Sequence, residues 1–255
     1  MTRSRAALLS ILFIVSFSGI SAELSPYVRL SVGHERSDDT VVRDVDCASV
    51  QPPALFGCVA GSDGLSIGAR GDFGETTVWQ AGAGFALTPR SRVELTYARR
   101  SGLELDAEAD FLGVAGRQPV SADAQSSSLM AAFAYDLAEP SLRVRPFVAA
   151  GAGMARNEIG RVTYAFPSLG SEAVTIVAGG RETSFAWSAA TGIVVDVTDS
   201  LAVDVAVRYS DLGEITTDAG EATIIRPNRT LTLDIAGTRA SLVTIGVELG
   251  LRWSL

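Results

Sequence analysis

The chain has 255 residues, of which 47% are hydrophobic and 20% charged, and its formal net charge is −8 at pH 7. This length suits one all-β domain, and the acidic balance excludes a typical nucleic-acid-binding protein, so we expect no nucleic-acid partner. Few charges combined with 25 glycines suit strands that have one apolar face and one crowded face.

The N-terminal residues 1–22 have the three-part pattern of a secretory signal peptide. Arg3 and Arg5 precede an apolar run from Ala6 to Phe17, and small residues follow. A membrane-anchoring helix is the alternative, but the run is shorter than the ~20 residues that span a bilayer. We therefore predict an exported protein whose mature domain covers residues 23–255.

Eight segments of the mature chain alternate apolar and polar residues, and the connections between them alternate strictly between long and short. The segments cover residues 25–36, 77–87, 91–100, 126–137, 143–156, 183–197, 201–212 and 241–255. The long connections cover residues 37–76, 101–125, 157–182 and 213–239. This layout predicts an all-β fold, an eight-stranded antiparallel up-and-down transmembrane β-barrel with four long extracellular loops and both chain ends on the periplasmic side.

The last segment shows which face meets the lipid. Its odd-numbered residues from Val243 to Leu255 are apolar, whereas the even-numbered residues between them are polar or glycine. A soluble lipocalin-like barrel would instead enclose its apolar face. Because lipid satisfies no backbone hydrogen bond, the sheet must close. Aromatic residues near the strand ends predict two interfacial girdles, formed by Trp79, Tyr97, Phe185, Trp187 and Tyr209 at the loop side and by Tyr135 and Trp253 at the turn side.

Charged residues of both signs share the predicted inner face. They are Arg29, Arg92, Glu94, Arg100, Asp136, Asp196, Asp204, Arg208, Glu248 and Arg252. They can form an ion pathway or a paired network that fills the lumen. We favour the network, because eight strands enclose a space only wide enough for side chains.

Cys47 and Cys58 are the only cysteines, and both lie in the first long connection. Export favours a disulfide between them over free thiols, and one histidine cannot complete a metal site with them. Nearby, Asp38, Asp39, Asp44 and Asp46 could hold Ca²⁺, but their spacing matches no calcium-loop motif. We expect a solvated acidic loop, and no metal or cofactor.

Catalysis would require a base, and His34 is the single histidine. Residue parity places it on the outward face of the first strand, with Val28, Leu30 and Val32. No Gly-x-Ser-x-Gly element is present. We therefore expect a protein that is not an enzyme.

Three motifs resemble those of small opacity-type, OmpA/OmpX-like outer-membrane proteins and related bacterial surface antigens. They are Pro146-Phe147-Val148 leading into Gly151 and Gly153, Phe185-Ala186-Trp187-Ser188, and Arg208-Tyr209-Ser210-Asp211-Leu212-Gly213. The resemblance extends over essentially the whole mature chain. It implies an eight-stranded barrel in the outer membrane of a Gram-negative bacterium, inserted by the outer-membrane assembly machinery.

The resemblance also implies partners: outer-membrane lipid and lipopolysaccharide around the barrel, and host or cell-surface ligands at the loops. The expected function is a surface structure or adhesin acting through the four loops. A narrow, porin-like channel is the alternative.

Overall fold

The computed structural model describes residues 24–61, 64–111 and 113–255. The predicted signal peptide lies outside these residues. The strands in chain order are β1 (Ser25–Ser37), β2 (Thr40–Asp44), β3 (Ala69–Asp72), β4 (Glu75–Thr88), β5 (Ser91–Ala109), β6 (Gln118–Asp136), β7 (Val144–Ile159), β8 (Val162–Ala165), β9 (Val174–Val177), β10 (Gly180–Asp196), β11 (Leu201–Thr216), β12 (Gly220–Arg226), β13 (Arg229–Ile235) and β14 (Thr238–Ser254). No helix within the described residues is long and apolar enough to cross a membrane.

Eight long strands form a closed ring. The order is β1–β4–β5–β6–β7–β10–β11–β14, and β14 pairs back onto β1 from Tyr27 opposite Ser254 to Ser37 opposite Thr244. Every pairing in the ring is antiparallel. The predicted eight-stranded up-and-down barrel is confirmed.

The two faces of the ring differ as the last segment predicts. On β14, Val247 is 54% exposed on the outside, whereas Glu248 is 3% exposed on the inside. Exposed valine, leucine, phenylalanine and tryptophan side chains continue this outer surface around the ring. We call this surface the apolar belt. Since lipid is the solvent that suits such a surface, the belt marks the membrane-spanning part of the wall.

The predicted long loops are in part strands. β5 runs to Ala109 rather than residue 100, β6 begins at Gln118 rather than residue 126, and six short strands lie in the remaining long connections. Above the belt the outer face meets water, so apolar side chains turn inward: Leu103 and Leu105 are fully buried. The pattern of outward apolar residues therefore predicts these strands only up to the top of the belt.

A β-bulge produces this exchange of faces on β5. Arg100 points inward, the pairing with β6 shifts between Ser101 and Leu103, and Leu103 points inward again. Gly102 is the extra residue, with a φ of +82° that residues with a side chain rarely adopt. β11 has the same kind of bulge at Gly213, where the pairing with β14 shifts between Asp211 and Glu214.

The short strands build a second tier on the barrel wall. The hairpin β2–β3 bridges β14 and β5, and the sheet continues through β6, β8, β9 and β12 to β13. The name extracellular cap is used below for residues 38–74, 103–124, 160–179 and 217–237. Its interior is a hydrophobic core that sits over the mouth of the lumen.

Candidate functional site

Ten charged residues were predicted to face the lumen, and the structure places all ten on the inner side of the wall. They form three layers rather than one cluster. In the middle layer, Arg29 binds Asp204 and also Glu248, at 3.0 Å. Arg208 donates two hydrogen bonds to Glu248, at 2.8 and 3.0 Å. Gln80 donates a further one to Glu248 at 2.7 Å.

The layer nearest the short turns joins four strands. Arg92 binds Asp136, and Arg145 binds both Asp136, at 3.1 Å, and Asp196. Arg252 lies 5.6 Å from the centre of the Tyr27 ring. Arg145 was not among the predicted lumen residues, although its odd number on β7 puts it on the same face as the lumen-facing Gly151 and Gly153.

The layer nearest the extracellular cap is the most deeply buried. Arg100, 1% exposed, donates to both carboxylate oxygens of Glu35, at 2.6 and 3.1 Å. Thr244 adds a hydrogen bond to Glu35 at 2.9 Å. Glu35 was also missed, although parity on β1 groups it with Arg29. Each charge of this pair therefore has a partner of opposite sign.

Glycines make room for these large side chains. A Cβ atom at Gly250 would lie 2.7 Å from the guanidinium of Arg29 and from the carboxylate of Asp204. A Cβ atom at Gly82 would lie 2.8 Å from the carboxylate of Glu94. The space left in the middle layer is a cavity of about 40 Å³, and a cavity of about 110 Å³ lies at the turn side. Such volumes hold a few waters at most.

The extracellular cap has an aromatic centre to which separate connections contribute. Phe56, Phe111 and Tyr164 lie with ring centroids 5.2 to 6.0 Å apart, and Phe166 lies 5.5 Å from Phe111. Arg226 covers the Phe166 ring at 4.5 Å. Burial raises the pKa of Tyr164. Because all four long connections supply a member, the cap is one folded unit.

The first long connection contains the disulfide Cys47–Cys58, with Cα atoms 4.8 Å apart. Asp44, predicted to be a solvated residue, is instead buried. Its carboxylate accepts the backbone N–H groups of Leu55, Phe56 and Gly57 at 2.8 to 3.0 Å. Asp44 is buried because residues 55–57 fold back over the end of β2, and the sequence does not reveal this contact.

The other acidic residues of this segment are exposed, and they bind neighbouring backbone: Asp38 accepts the N–H of Asp39, and Asp46 accepts that of Ala48. Within the described residues, no group of three or more metal-ligating side chains could hold a metal ion.

The predicted girdle residues and His34 lie on the outer wall. The aromatic side chains of Trp79, Tyr97, Tyr135, Phe185, Trp187, Tyr209 and Trp253 are all exposed there. Trp187 and Tyr209 pack together with ring centroids 5.3 Å apart. His34 lies on the outer wall opposite Val247 of β14, and its Nε2 is 3.2 Å from Oε2 of the equally exposed Glu75.

No protein-family model matches the sequence, and the comparison with curated proteins found no match. Among solved structures, outer membrane protein OprG from Pseudomonas aeruginosa is similar, with 13% identity over 91% of this chain and 97% of that chain and a TM-score of 0.49. Outer membrane protease OmpT from Escherichia coli gives 11% identity, 94% and 99% coverage and a TM-score of 0.48. Neisserial surface protein A gives 16% identity over 88% of this chain and 95% of that chain, with a TM-score of 0.40. These values are too low to carry a function to this chain.

The fold itself determines the location. A closed antiparallel barrel with an apolar belt, and with its polar network inside, satisfies its backbone within lipid, and this is the architecture of Gram-negative outer-membrane proteins. On that ground we place the protein in the outer membrane, with the cap outside the cell.

Proposed function

We propose that the protein is a non-enzymatic surface protein that binds other molecules or cell surfaces through its extracellular cap, and that its lumen does not conduct ions. The observation that carries this proposal is the folded cap. A shared aromatic core and six short paired strands make it an ordered surface beyond the membrane, and binding residues are commonly held in this way on a stable scaffold.

The disulfide segment is the part of the cap best suited to protein contact. Val50 is 84% exposed, and Val45 and Val59 are about half exposed. The disulfide and the hydrogen bonds to Asp44 hold this segment in place. Exposed apolar side chains on a pre-ordered loop reduce the entropy that binding must overcome.

A narrow channel is the second candidate, and the charged inner wall is the observation that favours it. The paired layers argue against it. Arg29, Arg208 and Glu248 share one hydrogen-bonded group across the lumen, and separating them to admit an ion would leave buried charges without partners.

The experiment removes the cap at its natural boundaries. Each long connection is replaced by a tight turn that joins two residues paired across neighbouring strands. The four pairs are Arg36 and Glu75, Ser101 and Gln125, Ile159 and Gly180, and Thr216 and Arg239. Cells expressing the intact or the trimmed barrel are compared for adherence to host-cell monolayers and to one another. We expect the trimmed barrel to retain heat-modified gel migration and to lose adherence.

Planar-bilayer recording on both proteins decides between the two candidates. We expect neither to conduct. Stable conductance in the trimmed barrel that changes in an Arg208→Gln variant would favour the channel. Equal adherence of cells carrying the intact and the trimmed barrel would remove the cap from the function.

A further inference from the structure

A hydrogen-bonded row of arginines crosses four strands on the outer wall. Arg99 of β5 donates to Gln125 of β6 at 2.6 Å, and Gln125 donates to Glu158 of β7 at 2.7 Å. Glu158 also binds Arg181 of β10 at 2.6 Å and Arg156 at 3.5 Å. Two guanidinium groups therefore flank the Glu158 carboxylate, and a third, that of Arg99, is linked to it through Gln125. The group has an excess of positive charge on the outside of the barrel.

The arginine row lies at the upper border of the apolar belt. One or two outward positions lower on the same strands are Tyr97, Leu129, Met154 and Phe185, each between 48% and 64% exposed. The arginines are thus at the height where the headgroups of the outer leaflet meet the wall.

A groove in the apolar belt lies below the arginines. Small outward residues, Ala83, Ala131, Ala150 and Ala152, line its floor, and the larger side chains of Phe85, Leu95 and Phe133 bound it. The volume of the groove is about 680 Å³. Its depth comes from alanines on strands β4, β6 and β7, where the belt elsewhere has bulky residues. An apolar chain of the bilayer fits such a groove.

A polar groove of about 740 Å³ lies above the arginines. It opens where β7 ends and the bulge at Gly102 displaces β5, and Gln125, Glu158, Arg161, Arg181 and Asp218 line it. Carboxylates, guanidinium groups and an amide side chain together suit a ligand with many hydroxyl groups. Apolar, cationic and polar surfaces therefore follow one another from the membrane outward.

We propose that this part of the outer wall binds one phosphorylated glycolipid of the outer leaflet. Its acyl chains occupy the alanine groove, a phosphate binds Arg99, Arg156 and Arg181, and its sugars occupy the polar groove. Guanidinium groups bind phosphate through paired hydrogen bonds, and all 21 basic residues of this chain are arginines. A second copy of this barrel in the alanine groove would leave the excess positive charge of the arginine row uncompensated, so we commit to the lipid.

The test uses the full mature chain in phosphatidylcholine nanodiscs that contain either bis-phosphorylated, hexa-acylated lipid A or the same lipid with both phosphates removed. Native mass spectrometry counts the retained lipid. We expect one bis-phosphorylated molecule to be retained, and the Arg156→Gln/Arg181→Gln variant to bind it about ten- to thirtyfold more weakly. The Glu158→Gln variant should bind at least as tightly as the parent protein, because it loses the competing carboxylate.

The matched control removes two outward arginines from the opposite wall, as Arg36→Gln/Arg239→Gln. Retention unchanged in this control would support a defined site. Equal weakening in both double variants would show attraction by net charge only and overturn the proposal, as would equal retention of lipid with and without phosphates. A detergent-solubilised dimer that an Ala152→Trp variant disrupts, without any change in lipid retention, would assign the groove to a second copy instead.

Discussion

The ion pair between Arg100 and Glu35 should stabilise the junction of lumen and cap, and replacing Arg100 by alanine tests this. Two charge-assisted hydrogen bonds, at 2.6 and 3.1 Å, would be lost. The Glu35 carboxylate, 3% exposed, would keep only the hydroxyl of Thr244. We expect the free energy of unfolding to fall by about 3 to 5 kcal/mol, because a buried charge is left unpaired.

The measurement is urea-induced unfolding in phosphatidylcholine vesicles, followed by tryptophan fluorescence. The control is Arg99→Ala, which removes the adjacent arginine from the outer face and should cost less than about 1 kcal/mol. Because the two residues are neighbours in sequence and face opposite ways, their difference isolates the effect of the inner pair.

A double-mutant cycle with Glu35→Gln completes the test. Removing both charges should be less damaging than the sum of the two single changes, by at least about 1 kcal/mol. Additive losses would refute the pairing, and so would an Arg100→Ala variant as stable as Arg99→Ala.

Three further predictions concern the belt, the cap core and the disulfide segment. An arginine in place of Val247, on the lipid face, should lower the free energy of unfolding by about 2 to 4 kcal/mol, and a urea midpoint equal to the parent's would place this face elsewhere. Within the described residues the buried Tyr164 hydroxyl has no hydrogen-bond partner, so Tyr164→Phe should be neutral or stabilising by up to ~1 kcal/mol in the same assay. Burial raises the pKa of Tyr164, so above the unfolded pKa of about 10 the hydroxyl ionises in the unfolded chain before it does so in the folded protein. The free energy of unfolding is therefore unaffected by this group below pH ~10 and falls at higher pH. This fall should be smaller in Tyr164→Phe, and identical pH profiles of the two proteins would argue against the buried hydroxyl as its cause. Replacing Cys47 and Cys58 by serine should speed proteolysis between them while heat-modified gel migration stays the same; a lost migration shift would mean that the bond supports the barrel.

The eight membrane strands could be predicted because a single physical rule governs them. A wall between lipid and a polar lumen requires strict alternation, and the chain from Val243 to Leu255 follows it without exception. The predicted strand ends on the side of the short turns agree with the structure within one or two residues, because tight turns such as Pro89-Arg90 interrupt the alternation.

The cap could not be predicted, because alternation carries a different meaning above the membrane. On β5 the bulge at Gly102 reverses which parity faces inward, so Leu103 and Leu105 occupy the positions that a continued pattern assigns to the outside. Asp44 was assigned to solvent for a related reason: its three backbone partners come from a segment eleven or more residues later. Such contacts depend on tertiary folding.

A barrel wall that passes from lipid into water must exchange its faces, and this chain does so in three ways. β5 and β11 insert a glycine bulge, and β1 ends so that a separate strand, β2, continues the wall. β6 keeps its register and changes its inward residues from Ser126 to Ala124 and Val120. The exchange occurs at one height, directly above the pair formed by Arg100 and Glu35. The last polar layer of the lumen therefore lies against the first apolar layer of the cap. Loosening the layer that holds Arg100 and Glu35 exposes apolar groups of the cap to water, so the stability of the cap depends on this layer, whereas the strand pairing within the belt does not depend on the cap.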